Sequence, residues 1–270
     1  MCPTDDLAFF GGPPLYELPE LPVMVSVTFS WDIERGKHLC KAWCQSSRNV
    51  YLGGPAFNDM YLGRPSFMPQ NIPPIDFVPG RFLKNGITIT SRGCPKRCPW
   101  CLVPEREGRL REIAIQPGHI VQDNNLLACW RDHVERVFEM LLTQKEPVQF
   151  KGGLDIDYLE AWHIDWFKKM RIGKRGLWVS YDCKVDEKRL DKAADLLSDF
   201  PIEKKGCYVL VGFNDETQEQ AKRRCIAVLQ KGFIPHAQLY RGVNSGPSRG
   251  EWREFCAFWS QPKYYRKKYG

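Results

Sequence analysis

Residues 86–101 read Gly86-Ile-Thr-Ile-Thr-Ser-Arg-Gly-Cys94-Pro-Lys-Arg-Cys98-Pro-Trp-Cys101. The stretch Gly86–Ser91 is β-branched and uncharged, which predicts a strand, and it runs directly into a loop rich in cysteine. Further strands are predicted at Ile120 (IVQDN), Val148 (VQFKGG), Leu177 (LWVSYD), Cys207 (CYVLVGF) and Ile234 (IPHAQLY), with starts 28, 29, 30 and 27 residues apart. The gaps carry helical stripes. Val134, Val137, Phe138, Leu141 and Leu142 form the first, and Leu159, Trp162, Trp166 and Met170 the second. Leu190, Ala193, Ala194 and Leu197 follow an expected N-cap at Asp186, and Ala221, Cys225, Val228 and Leu229 follow one at Asp215. Strand–helix units at this period predict an α/β fold with a parallel sheet and right-handed crossovers. Six strands are too few for a closed eight-stranded barrel and fit an open or partial one.

Upstream the pattern changes. Residues 1–85 hold eleven of the twenty prolines, mostly at 13–22 and 65–79. Between these clusters, Val23–Ser30 alternates as a strand, Asp32–Cys44 reads as a helix, and Asn49–Leu52 is a second strand closed by Gly53-Gly54-Pro55. The expected organisation is a small N-terminal β-α-β appendage with a proline-rich connection (1–85), a strand–helix core (86–241) and a basic tail (242–270).

With 270 residues, 43% hydrophobic and 26% charged, the chain has globular composition. No stretch approaches an uncharged apolar membrane span, and Met-Cys-Pro-Thr-Asp-Asp lacks the basic-then-apolar start of a secretory signal, so a cytoplasmic protein without membrane contact is expected. Of the net charge of +7, residues 1–85 contribute −1 (seven Lys/Arg, eight Asp/Glu) and residues 242–270 contribute +4 (six against two). A moderately basic surface is compatible with a polyanionic partner without requiring one.

Eleven cysteines in a chain without an export signal argue against a disulfide framework. Only Cys94, Cys98 and Cys101 cluster, with spacing C-x3-C-x2-C. Three thiolates from one loop suit three irons of a cubane and leave the fourth iron open to another ligand. Lys96 and Arg97 offset part of the thiolate charge. Zinc is the alternative: a closed site needs a fourth ligand, no second C-x2-C exists, and Cys129 or His119 are the residues that could complete it.

C-x3-C-x2-C after the first strand of a parallel sheet resembles the signature of the radical S-adenosylmethionine (SAM) superfamily. Trp100 stands where that family carries an aromatic residue, and the resemblance covers about residues 86–241. It implies a partial (β/α)6 TIM-like barrel and a [4Fe-4S] cluster on Cys94, Cys98 and Cys101. It further implies SAM, bound through its methionine amine and carboxylate to the open iron, whose reductive cleavage yields a 5′-deoxyadenosyl radical that abstracts hydrogen from substrate. An electron donor such as flavodoxin or ferredoxin is implied as partner. Two turns resemble the one that meets the SAM amine: Asp123-Asn124-Asn125 after the second strand and Gly152-Gly153-Leu154-Asp155 after the third. Tyr181 and Asp182 end the fourth strand, where family members contact the ribose or carboxylate. Gly212, within Val211–Thr217, resembles the turn that approaches the adenine. The N-terminal unit resembles part of a cobalamin-binding domain, but it is too short. None of the five histidines (38, 119, 133, 163, 236) lies in an Asp-x-His-x-x-Gly pattern, so cobalamin is not expected.

On the substrate side, Cys183, Tyr181, Tyr240 and Arg241 lie at strand ends; Cys183 and Tyr181 have the chemistry to return a hydrogen atom to a substrate radical. The tail Lys263-Tyr-Tyr-Arg-Lys-Lys-Tyr269 interleaves cations with aromatics, as a nucleic-acid contact would, and its plainer reading is a solvated terminus. Three function classes follow: a radical SAM enzyme on nucleic acid, the same enzyme on a small metabolite or peptide, and a zinc-stabilised nucleic-acid-binding module without catalysis.

Overall fold

The computed structural model describes residues 11–13, 22–27, 32–47, 49–53, 84–182, 187–241 and 249–269. The chain forms two compact units, Met1–Lys84 with Leu102–Gly108, and Asn85–Cys101 with Arg109–Gly270.

In the first unit, β1 (Val23–Ser26), α1 (Ile33–Cys44) and β2 (Val50–Gly53) form a β-α-β element whose strands pair in parallel, Val23 opposite Val50. Val23, Val25, Cys40, Trp43 and Val50 make its core. Gly36 lies where α1 crosses the strands: a Cβ there would stand 2.3 Å from Val27 Cγ2, so no side chain fits. A single-turn helix, α2 (Val103–Arg106), belongs to the same unit. Gly54 and Pro55 lie outside the described residues.

The second unit holds a six-stranded parallel sheet. Its strands are β3 (Ile87–Thr88), β6 (Ile120–Val121), β7 (Val148–Phe150), β8 (Ile172–Ser180), β9 (Lys205–Val211) and β10 (Ile234–Leu239), neighbours in that order. A separate hairpin pairs β4 (Ser91–Arg92) with β5 (Arg111–Glu112). The predicted strand Gly86–Ser91 is therefore split: only Ile87–Thr88 joins the sheet. The connecting helices are α3 (Arg131–Leu142), α4 (Ala161–Lys169), α5 (Glu187–Leu196) and α6 (Gln218–Gln230). The α3 stripe is buried at Val134, Val137, Phe138 and Leu141, whereas Leu142 is exposed. Each fully buried side chain of this kind contributes roughly 1.5–3 kcal/mol. The sequential strand order has no reversal point, unlike a doubly wound nucleotide-binding sheet.

Two local expectations are corrected. The fourth strand begins at Ile172, five residues before Leu177, because Ile172–Gly176 contains an irregularity in which Val148 faces Ile172 while Phe150 faces Leu177. The N-cap of α6 is Thr217, not Asp215: Thr217 accepts from the Gln220 N–H and Gln220 returns the bond, while Asp215 sits in the left-handed region (φ 53°). The expected cap at Asp186 lies outside the described residues.

The sheet is packed unequally on its two faces. Val148, Phe150, Leu177, Val179, Cys207, Val209 and Val211 join helix residues in one continuous core. The alternate positions Gln149, Ser180, Tyr208, Leu210 and His236 are half-buried, and Gln238 is exposed. At the C-terminal end, α7 (Arg249–Trp259) and α8 (Pro262–Tyr269) complete the core through Trp252, Trp259 and Tyr265. Tyr265 is fully buried and donates to the Pro235 carbonyl. Among the described residues no helix is long and apolar enough to cross a membrane.

Candidate functional site

The cysteine loop begins at Gly93, whose positive φ (80°) turns the chain and whose N–H donates to Asn124 Oδ1 at 3.2 Å. The loop is closed by the Cys101 N–H donating to the Cys98 carbonyl. Cys94, Cys98 and Cys101 are all half-buried. Burial pushes the Cys98 thiol up. The neighbouring thiols Cys101 and Cys94 and the carboxylate of Asp182 push the same way, against the opposing pull of Lys96. The three thiols therefore share one electrostatic environment at the carboxyl ends of the strands, with a residue from the end of β8 beside them.

Lys96 fastens this loop to the turn after β7. It meets Asp155 at 2.5 Å and Asp157 at 2.6 Å, and Arg189 from α5 reaches the same two carboxylates at 3.2 and 2.6 Å. Burial alone would lower the Lys96 ammonium, but the two carboxylates outweigh it and hold it up. This network was not evident from sequence; its only sign was the Gly-Gly-Leu-Asp-Ile-Asp run.

The two turns that resembled a SAM-amine site touch each other. A Cβ on Gly152 would lie 2.0 Å from the Asp123 carbonyl, so only glycine fits there. Gly153 follows in the left-handed region at φ 96°. Asp123 is 1% exposed; its Oδ1 accepts from the Thr90 N–H and its Oδ2 from the Thr90 and Ser91 hydroxyls. Both of its oxygens are thus engaged in bracing the start of the cysteine loop. Asn124 is spent on Gly93. Asn125, quoted in the motif but not singled out, has the open group: its Nδ2 donates to Asp155 Oδ2 at 2.8 Å and approaches Cys94 Sγ at 3.5 Å, while its buried Oδ1 has no partner.

On the other side of the loop, Trp100 meets Phe213 edge-to-face at 5.6 Å, and Phe213 meets Tyr240 at 4.9 Å. Phe213 is the second residue that sequence reasoning passed over. Its turn is unusual: Gly212, Asn214 and Asp215 all have positive φ (77°, 52° and 53°). The Gly212 N–H donates to Glu216 Oε2 at 3.0 Å, and Glu216 pairs with Arg224 at 2.7 Å. Arg224 also donates to the Tyr181 carbonyl at 2.8 Å, tying the β8 and β9 ends together. Tyr181 itself is 4% exposed and belongs to the main core, so its ring is packed rather than open. Asp182 is half-buried and Arg241 exposed. Cys183 lies outside the described residues.

Neither candidate zinc partner joins the loop thiols. The His119 ring packs over Gly86, at the amino end of the strands and away from the cysteine loop. Cys129 lies near Ser91, Asp123 and Glu112, with its thiol pushed up to about 11 by burial. Among the described residues no three His, Cys, Asp or Glu side chains are arranged to hold a single metal ion. No family model matches the chain, and no curated protein matches it either.

Proposed function

We propose that the chain is a radical SAM enzyme of the partial-barrel kind, with Cys94, Cys98 and Cys101 as the ligands of a [4Fe-4S] cluster. The observation that carries the reading is the convergence of these thiols, at the carboxyl ends of a sequential parallel sheet, with Asn125, Asp182 and the Trp100–Phe213 pair. Three thiols close together on one loop suit three irons of a cubane, which takes one thiolate per iron.

When bound, the cluster and SAM would supply one-electron reduction of the sulfonium and a hydrogen-abstracting 5′-deoxyadenosyl radical. The chain's own residues position and shield. Lys96, held by Asp155 and Asp157, fixes the loop that carries the thiolates and offsets their charge. Asn125 Oδ1 offers a buried acceptor to an ammonium or amine N–H beside Cys94, which suits the SAM amine. Trp100 and Phe213 would present apolar ring surface to the adenine and exclude water from it, and Gly212 would let backbone approach the same place. Asp182, beside Cys98, would serve as acceptor for a ribose hydroxyl. Flavodoxin or ferredoxin fits the role of electron donor, and a cytoplasmic setting fits an oxygen-sensitive centre.

Anaerobic reconstitution with iron and sulfide tests the reading. The protein should take up about four irons and, with dithionite and SAM, release 5′-deoxyadenosine; Cys94→Ala, Cys98→Ala and Cys101→Ala should each abolish both, while Cys129→Ala should not. A colourless protein with one tightly held zinc, or a reducible cluster that never yields 5′-deoxyadenosine, would sink it.

A further inference from the structure

The face of the sheet that the helices leave open carries a group of side chains that the cluster chemistry does not use. Trp178 from β8 stacks on Tyr208 from β9 at 4.2 Å, and His236 from β10 meets both rings edge-on at 6.0 and 6.1 Å. Room for the indole comes from Gly206, where a Cβ would stand 2.7 Å from the ring. Lys151 Nζ lies over the same indole at 4.8 Å and the Arg175 guanidinium at 6.0 Å. Two cations therefore share one half-buried corner, and neither forms an ion pair with any described carboxylate.

Arg175 is held there against its backbone preference. It occupies the left-handed region (φ 48°) inside the β7–β8 irregularity, between Gly173 and Gly176, where added Cβ atoms would meet neighbours at 3.1 and 2.6 Å. A non-glycine residue in that region costs about 1–3 kcal/mol, and bulges of this kind re-aim a side chain toward a site. Two buried nitrogens in the corner also lack partners: Trp178 Nε1, in a residue only 4% exposed, and His236 Nδ1. An indole N–H is a donor and nothing else. Burial lowers the charged forms of His236 and Lys151, and the neighbouring cations lower them further, with no carboxylate acting in return.

Paired cations without counter-charge and an unpartnered buried donor are the chemistry of an anion site. We propose that Lys151, Arg175, Trp178 and His236 form a binding site for the carboxylate or phosphate group of a small organic anion, on the open face of the sheet. Trp178, Ser180 and Asp182 alternate along one strand face, so the site stands about 13 Å along β8 from the residue that neighbours Cys98. An anion anchored there reaches the cysteine loop with its other end, which makes it the substrate. That last assignment rests on the radical SAM reading; the anion site itself rests on the sheet alone.

The test is titration of the full-length protein with inorganic phosphate, phenyl phosphate, benzoate and chloride at constant ionic strength, read by tryptophan fluorescence and melting temperature. Saturable binding of the phosphates, of benzoate, or of both is expected, with chloride inert, and the arm that saturates identifies the group. Arg175→Gly, which suits the positive φ, and Trp178→Phe, which keeps a ring but removes the donor, should each weaken binding about tenfold or more. Cys94→Ala should leave it unchanged, so the site can stand or fall apart from the cluster. Equal responses to all four anions, or undiminished binding in Arg175→Gly and Trp178→Phe, would overturn the proposal.

Discussion

His163 shows how one side chain can couple a helix end to pH. Its Nδ1 accepts the Glu160 N–H at 3.1 Å, completing a capping box at the start of α4 in which imidazole takes the place of the usual carboxamide or carboxylate. The ring stacks on Trp162 at 3.7 Å and is 2% exposed. Burial drives its pKa from 6.5 down to about 4, against the pull of Glu160 toward the charged form. A depressed folded-state pKa gives stability that is complete above pH 6.5 and is lost as pH falls toward 4, because protonation removes the accepting lone pair and charges a dry ring. The contribution at stake is on the order of 1–3 kcal/mol. His163→Asn keeps an acceptor that does not titrate. Its melting temperature should therefore be lower than wild type at pH 7.5, with the gap closing by pH 4.5. A gap independent of pH would mean that the His163 pKa is not lowered by folding.

At the scale of elements, the turn after β7 is joined to the cysteine loop by charge. Lys96 and Asp155 are mostly buried at their side chains (25% and 11% exposed), so their ion pair is less screened than a surface pair. Lys96→Met leaves Asp155 with Arg189 and Asn125, while Asp155→Asn leaves Lys96 with Asp157 alone. Each change should hasten iron loss to a chelator from reconstituted protein, and the double variant should do little more than either. The coupling expected for residues in one network is roughly 0.5–3 kcal/mol. Additive effects would show that the two turns act separately. This joint was hidden in the sequence because Lys96 and Asp155 lie 59 positions apart, a separation only the crossover helix closes. The strand–helix period was legible because apolar stripes are local: Val134, Val137 and Phe138 announce α3 without help from the rest of the chain. The cysteine spacing was equally local. The β8 bulge was not, since Ile172-Gly-Lys-Arg-Gly176 carries charge and glycine that read as loop, and only pairing with β7 makes it strand. Asn125 and Phe213 lay within quoted motifs, but which atom stayed unpartnered depended on neighbours from other turns.

For the whole molecule, the C-terminal segment decides between a solvated arm and a structural element. Trp259 stacks on Tyr265 at 5.1 Å and on Tyr269 at 5.5 Å, and Tyr265 is sealed against the base of β10. Arg266 is engaged with Glu203 at 3.2 Å. Of the tyrosines once available for stacking on bases, Tyr264 is the exposed one, at 48%. Deleting α8 would therefore remove core rings along with the charges, and Tyr265→Ala should cost about 3–5 kcal/mol as a large buried ring is lost. Charge substitutions separate the two roles. Lys263→Ala with Lys267→Ala touches no core contact and should change stability by less than about 0.5 kcal/mol. If the helix also meets a single-stranded nucleic-acid backbone, the same pair should reduce the salt dependence of binding by roughly 1.4 log units per log salt, at about 0.7 for each phosphate contact. Binding by labelled single strands at two salt concentrations, with chemical melts of both variants, reads the two effects independently. An unchanged slope with Tyr265→Ala strongly destabilised would assign α8 to the fold alone and direct the search for substrate to small anions and peptides.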